Sequence, residues 1–172
     1  IRYECNVYKT GKEMKVIENF LDDKLYKEIN ELSIDSMDLI FEDLSGLGWN
    51  AGGTDRVFTQ ELKYSEILDP LKKTCKQKLK FVPKSATFYY WSLGSFINFH
   101  DDSIYKASAT IYLNDKWKKD WGGFFMWQEG KDFKAILPTK NRCVFNEWES
   151  HAVTPTINRP EKFVRRTLQL RF

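Results

Sequence analysis

The chain has 172 residues, 42% of them hydrophobic and 16% aromatic, enough to build one packed core. Its net charge of +3 and pI near 8.6 are only mildly basic, short of the pI above about 9 that marks a dedicated nucleic-acid domain. No apolar run approaches the roughly 18 residues that span a bilayer and no signal-peptide pattern is visible, so a cytoplasmic protein without a membrane anchor is expected, with a targeting segment trimmed ahead of Ile1 as the alternative.

In chain order, E-M-K-V-I (residues 13–17) is expected as a short strand leading into N-F-L-D-D. Asp22 or Asp23 can cap a helix there, because a carboxylate accepts the free amides of a first turn. Leu25, Ile29 and Leu32 recur along that helix at spacings of four and three. Residues 45–55, S-G-L-G-W-N-A-G-G-T-D, carry four glycines and are expected to form a mobile loop. No G-K-[ST] follows, so this is not a phosphate-binding loop. A second helix is expected to start at Asp69-Pro70, a cap followed by proline in the first turn. Its apolar stripe is Leu71, Cys75 and Leu79, and Lys72, Lys73, Lys76, Lys78 and Lys80 surround it as a solvated face, with nucleic-acid contact as the alternative. Cys5, Cys75 and Cys143 form no C-x-x-C pair, and reduced thiols are expected.

From Ala86 the pattern changes. A-T-F-Y-Y-W, A-S-A-T-I-Y-L, G-F-F-M-W, R-C-V-F-N and V-R-R-T-L-Q-L-R-F are short, aromatic and β-prone. N-D-K, Q-E-G-K and L-P-T-K separate them as turns. Strands at this spacing point to an antiparallel sandwich or barrel following the two helices. Both histidines fall in this half.

His100 and Asp102 stand two residues apart, so on an extended segment both face one side. Each can give one bond to one ion, and His151 is the only other histidine in the chain. Two histidines and a carboxylate with open positions opposite form the facial triad of non-haem Fe(II) oxygenases. Zinc could take the same ligands, and a structural His100–Asp102 pair remains the plain alternative. On the last strand, Arg165 and Thr167 share a face. A buried arginine aimed into a barrel needs an anion, and its planar fork suits a carboxylate. An open metal site with a carboxylate clamp behind it describes a 2-oxoglutarate pocket.

With these residues in place, the chain resembles a 2-oxoglutarate- and Fe(II)-dependent dioxygenase of the prolyl-4-hydroxylase-like family. The resemblance runs from about Val16 to Phe172. It rests on V-I-E-N-F-L from Val16, Y-W-S-L-G-S-F-I-N-F-H-D-D ending at Asp102, T-I-Y-L-N from Thr110, W-G-G-F-F-M-W from Trp121, L-P-T-K-N-R-C-V-F from Leu137, H-A-V-T-P from His151 and R-R-T-L from Arg165. It implies a mainly β fold, a double-stranded β-helix of the jelly-roll, cupin-like kind, supported by N-terminal helices. One domain is expected over residues 1–172, with helical support and a lid loop in 1–85 and the barrel in 86–172.

The resemblance implies Fe(II) held by His100, Asp102 and His151, with 2-oxoglutarate and O2 as cosubstrates. Arg165 would hold the distal carboxylate, Tyr112 would share it, Thr167 would be the arginine's partner, and Tyr90 would be a second pocket tyrosine. Arg165 lies fourteen positions after His151, further than is usual in the family, so Arg159, Lys162 and Arg166 are competitors for its role. The reaction implied is hydroxylation of an unactivated C–H bond with release of succinate and CO2. A prolyl residue in a peptide or protein is the expected substrate, and Trp49, Asp55 and Arg56 in the Gly-rich lid are candidate substrate contacts. Two alternatives stand beside it. One is an AlkB-type nucleic-acid demethylase, supported by the Arg165–Arg171 spacing. The other is a non-catalytic jelly-roll module holding a metal.

Overall fold

A computed structural model describes residues 14–43, 48–49, 57–160 and 163–172, the side chains of residues 38–43 and 48–49 aside. Of the two candidate caps, it is Asp22 that acts. Its Oδ1 accepts the Leu25 amide at 2.9 Å, and helix α1 runs Asp23–Asp43. Leu25 and Ile29 enter the core and Leu32 packs at its margin.

The second helix, α2 (Ser65–Leu79), begins one turn earlier than expected and has no side-chain cap. Pro70 therefore sits inside it. The missing N–H leaves the Glu66 carbonyl without a helical partner, and both residues are exposed, so water can take that carbonyl. The stripe of Leu71, Cys75 and Leu79 is buried as expected. Among the lysines around it, Lys78 donates to the Phe20 carbonyl at 2.6 Å, tying α2 to the turn before α1. Cys75 and Cys143 are buried and free.

The strands are β1 (Lys15–Ile17), β2 (Gly48–Trp49), β3 (Val57–Glu61), β4 (Ser85–Trp91), β5 (Ile97–His100), β6 (Ser108–Tyr112), β7 (Phe125–Glu129), β8 (Asp132–Ile136), β9 (Cys143–Asn146), β10 (His151–Val153) and β11 (Arg165–Arg171). They form a seven-stranded sheet, ordered β1-β9-β6-β11-β4-β3-β2, and a four-stranded sheet, ordered β5-β10-β7-β8. The pairings are antiparallel. The chain is thus mainly β with two helices, as expected.

Strand alternation decides what reaches each side of the larger sheet. Phe88 and Tyr90 of β4, Ile111 of β6, Phe145 of β9 and Leu168 and Leu170 of β11 pack in one core with both helices. Their neighbours Trp91, Tyr112 and Val144 join Phe125 and Val153 of the smaller sheet in a second core. The central strands β6, β9 and most of β11 are therefore buried on both faces. The space between the sheets is lined by the odd-numbered residues of β11, and the site lies there.

Candidate metal and carboxylate site

β5 and β10 pair with His151 opposite His100. Their rings lie 4.3 Å apart between centroids. β5 ends at His100, so Asp102 reaches the same place from a turn, closed by the Tyr105 amide on the Asp102 carbonyl at 2.9 Å. His151 Nε2 lies 3.7 Å from Asp102 Oδ2. One ligand atom from each of the three residues falls within 4.8 Å of the others. Two bonds of about 2 Å to one ion allow a separation of roughly 4 Å, so a small contraction suffices. Among the described residues this is the one cluster of three such side chains able to hold an ion.

Each imidazole is oriented by its far nitrogen. His100 Nδ1 lies 2.8 Å from the Asn98 carbonyl, and His151 Nδ1 lies 2.9 Å from the Glu149 carbonyl. A carbonyl only accepts, so each favours a hydrogen on Nδ1 and a free lone pair on Nε2, the arrangement metal-binding histidines use; the Asn146 side-chain nitrogen also lies 2.9 Å from His151 Nδ1. Phe125 stacks on the His151 ring at 5.0 Å and 12°. Burial lowers the His151 pKa, which favours the neutral, ligand-competent ring.

Arg165 lies behind this cluster, fully buried. Its Nε donates to the Gly123 carbonyl at 3.1 Å. The guanidinium sits 4.6 Å from the Trp91 ring centroid and 5.4 Å from that of Tyr112. Both Nη atoms and the Tyr112 hydroxyl are buried without a hydrogen-bond partner. Burial pushes the Arg165 pKa down to about 10 and the Tyr112 phenol up to about 12. Near neutral pH the first is still a cation and the second still a donor. Orphaned buried donors are costly, and a carboxylate would accept from both side chains at once.

The glycines of W-G-G-F-F-M-W have local reasons. Gly123 has φ +67°, and a Cβ there would meet Arg165 Cδ at 2.9 Å. Gly122 has φ +65°, and its Cβ would collide with the Pro155 carbonyl oxygen. One lets the backbone approach the arginine, the other the segment after His151.

Arg166, a competitor for the clamp, points away. It donates to Asn30 Oδ1 at 2.8 Å, to Ser33 Oγ at 3.2 Å and to the Leu113 carbonyl at 3.1 Å. Arg159 reaches the Trp91 and Pro160 carbonyls, and Lys162 lies outside the described residues. Thr167 shares Arg165's face, and its Oγ1 accepts from Trp91 Nε1 at 3.2 Å, so it steadies the ring under the arginine.

Tyr90 does not belong to the pocket. Its hydroxyl donates to the Ser33 carbonyl of α1 at 2.9 Å, because position 90 faces the helices. Tyr89 and Trp91 face inward instead. The cavity itself has a volume of about 380 Å³, and Tyr105, Thr110, Gln169 and Arg171 also line it. Of the lid candidates, Asp55, Arg56 and the Trp49 side chain lie outside the described residues.

The comparisons agree with this geometry. Residues 85–169 match the family profile described as the 2OG-Fe(II) oxygenase superfamily. The match spans 85 of the 172 residues and marks this region as similar to that superfamily. Its members use Fe(II), 2-oxoglutarate and O2. Similar folds include a Pseudomonas putida prolyl-4-hydroxylase, with a TM-score of 0.71, 16% identity and coverage of 94% of this chain and 92% of that one. A Trichoplax adhaerens prolyl hydroxylase in complex with a hypoxia inducible factor oxygen degradation domain peptide fragment gives 0.72, 15%, and 92% and 82% coverage. The viral collagen prolyl hydroxylase of Paramecium Bursaria Chlorella virus-1, in its 2OG complex, gives 0.67, 14%, and 94% and 96%. A sequence search of curated proteins gave no match. At these identities the structural likeness speaks for the fold. Among the described residues, no helix is long and apolar enough to cross a membrane.

Proposed function

We propose that the chain is one domain, a double-stranded β-helix oxygenase that hydroxylates a prolyl residue in a peptide or protein. His100, Asp102 and His151 hold Fe(II), and Arg165 with Tyr112 holds the distal carboxylate of 2-oxoglutarate. The observation carrying this reading is the set of unpartnered buried donors behind the His–Asp–His cluster.

Iron, when bound, supplies the redox centre where keto acid and O2 combine to oxidise a C–H bond. The chain's own residues do the rest. The Asn98 and Glu149 carbonyls aim the two imidazoles. Arg165 and Tyr112 would fix the keto acid by its far end, so that its near end meets the metal in one orientation. Trp91 and Phe125 keep that space apolar, which strengthens each charge interaction within it. Trp49, Asp55 and Arg56 are proposed to touch the substrate from the lid.

The prolyl assignment draws on the resemblance and on the fold neighbours, one of which carries a peptide. It is tested by incubating proline-containing peptide libraries with the purified chain, Fe(II) and 2-oxoglutarate. Succinate release matched by one added oxygen on proline supports it. Succinate release only with methylated DNA or RNA would favour the demethylase, whose Arg165–Arg171 pair does lie in the cavity.

A further inference from the structure

A second arginine lies in the cavity, at the metal end. Arg171 closes β11 on the same face as Arg165. Its Nη1 donates to Asp102 Oδ2 at 2.9 Å. The two side chains are 17% and 9% exposed, so water screens the pair far less than a surface one.

We propose that Arg171 is a positioning residue, which holds the Asp102 carboxylate in its ligating orientation and thereby sets the metal affinity of the site. This rests on the metal assignment above. The three ligands are not equally anchored. Each histidine stands on a strand and is tethered through Nδ1. Asp102 stands in a turn beyond the end of β5, where the backbone restrains its side chain less. Arg171 is the hydrogen-bonding side chain that the structure gives to that carboxylate.

Arg171 is itself well fixed. Its backbone pairs with Ser85 on one side and Ser108 on the other, and its carbonyl accepts the Lys84 amide at 2.7 Å. The Tyr105 ring lies 5.0 Å from the guanidinium carbon, and Tyr89 lines the same cavity. A rigid donor therefore acts on a ligand that lacks rigidity of its own.

The contact also limits how Asp102 can bind. A carboxylate has about four lone-pair sites. A guanidinium on one oxygen leaves a site for a metal but opposes binding through both oxygens, and so keeps metal positions open for the keto acid and O2. The rival physical effect has the opposite sign. A cation beside a dication repels it, and in the metal-free protein Arg171 could merely compete for the carboxylate. The two differ in what happens when the arginine is removed.

The test is Mn(II) titration of the full chain by calorimetry, with the Co(II) absorption spectrum as a second reading. Arg171→Leu, Arg171→Gln and Arg171→Lys are compared with wild type, each checked for folding by circular dichroism. Loss of an outer partner of a metal ligand typically weakens binding about 10- to 100-fold. That rise in Kd is expected for the Leu and Gln variants, with an altered Co(II) band. Lys should recover part of it, since an ammonium can reach the same oxygen. Should Leu fail to fold, the near-isosteric Gln variant decides. Unchanged affinity and spectrum, or tighter binding in the variants, would overturn the proposal. Wild-type protein that binds neither ion, like its His100→Ala variant, would instead overturn the metal site itself.

Discussion

Arg165 and Arg166 are neighbours in sequence with opposite fates, so exchanging each should separate ligand binding from folding. Arg165→Met removes a fully buried cation with two unpartnered nitrogens and keeps an apolar stem between Trp91 and Tyr112. Without ligand, the Tm should move little, because losing the Nε bond to Gly123 is offset by removing a buried charge that has no anion to pair with. With 2-oxoglutarate the charge becomes paired. Truncating one partner of a buried, hydrogen-bonded charge pair costs about 2–5 kcal/mol, so the Kd should rise at least about 30-fold. Arg166→Ala is the converse. It strips the bonds to Asn30, Ser33 and Leu113 that fasten β11 to α1 and the turn after β6. Charged hydrogen bonds are worth about 1.5–3 kcal/mol each and do not simply add. A loss of about 3 kcal/mol would lower the Tm by roughly 6–12 °C in a protein of this size. Calorimetry with 2-oxoglutarate in the presence of Mn(II) and thermal melts without it read the two effects. Equal Kd changes in the two variants, or a collapse of the Arg165→Met fold, would refute the assignment.

Three more expectations follow from the same geometry. Tyr112→Phe removes a hydroxyl that has no partner, so the unliganded Tm should hold while 2-oxoglutarate binding weakens about 12- to 150-fold, the value of one hydrogen bond to a charged group; an unchanged Kd would remove Tyr112 from the clamp. Gly123→Ala places a methyl 2.9 Å from Arg165 Cδ at a positive φ, and it should weaken 2-oxoglutarate binding by tenfold or more with a smaller effect on Mn(II), as paired titrations would show. A metal binding the folded chain at 100 times its Kd adds about 2.7 kcal/mol; melts should show that rise and its loss on chelation or in His100→Ala.

Much of the site was legible because its chemistry is sparse. With two histidines in the chain, the partner of His100 could only be His151, and the structure brings them together. Arg165 was separable from Arg166 because Thr167 and the strand period set the parity of the last strand. Tyr90 was misplaced for a related reason. β4 carries aromatic residues on both faces, so Y-Y-W has no apolar–polar alternation, and the pairing of Trp91 with Arg165 is what shows that odd positions face inward. The start of α2 was misread because Asp-Pro makes a good first turn by itself, while S-E-I-L before it lacks a capping side chain. β8 escaped notice as an exposed edge strand, D-F-K-A-I, with little to bury. Arg171 was seen as half of a spacing pattern, but its bond to Asp102 depends on a turn that the sequence does not specify.

The most direct test of the central claim is a crystal structure of the chain with Mn(II) and 2-oxoglutarate under anaerobic conditions, with the metal located by anomalous scattering. The account predicts one strong peak bonded to His100 Nε2, His151 Nε2 and an Asp102 oxygen at about 2.0–2.3 Å. It also predicts the far carboxylate of the keto acid between the Arg165 Nη atoms and the Tyr112 hydroxyl. A metal elsewhere, or a carboxylate that leaves the Arg165 Nη atoms without a partner, would contradict it.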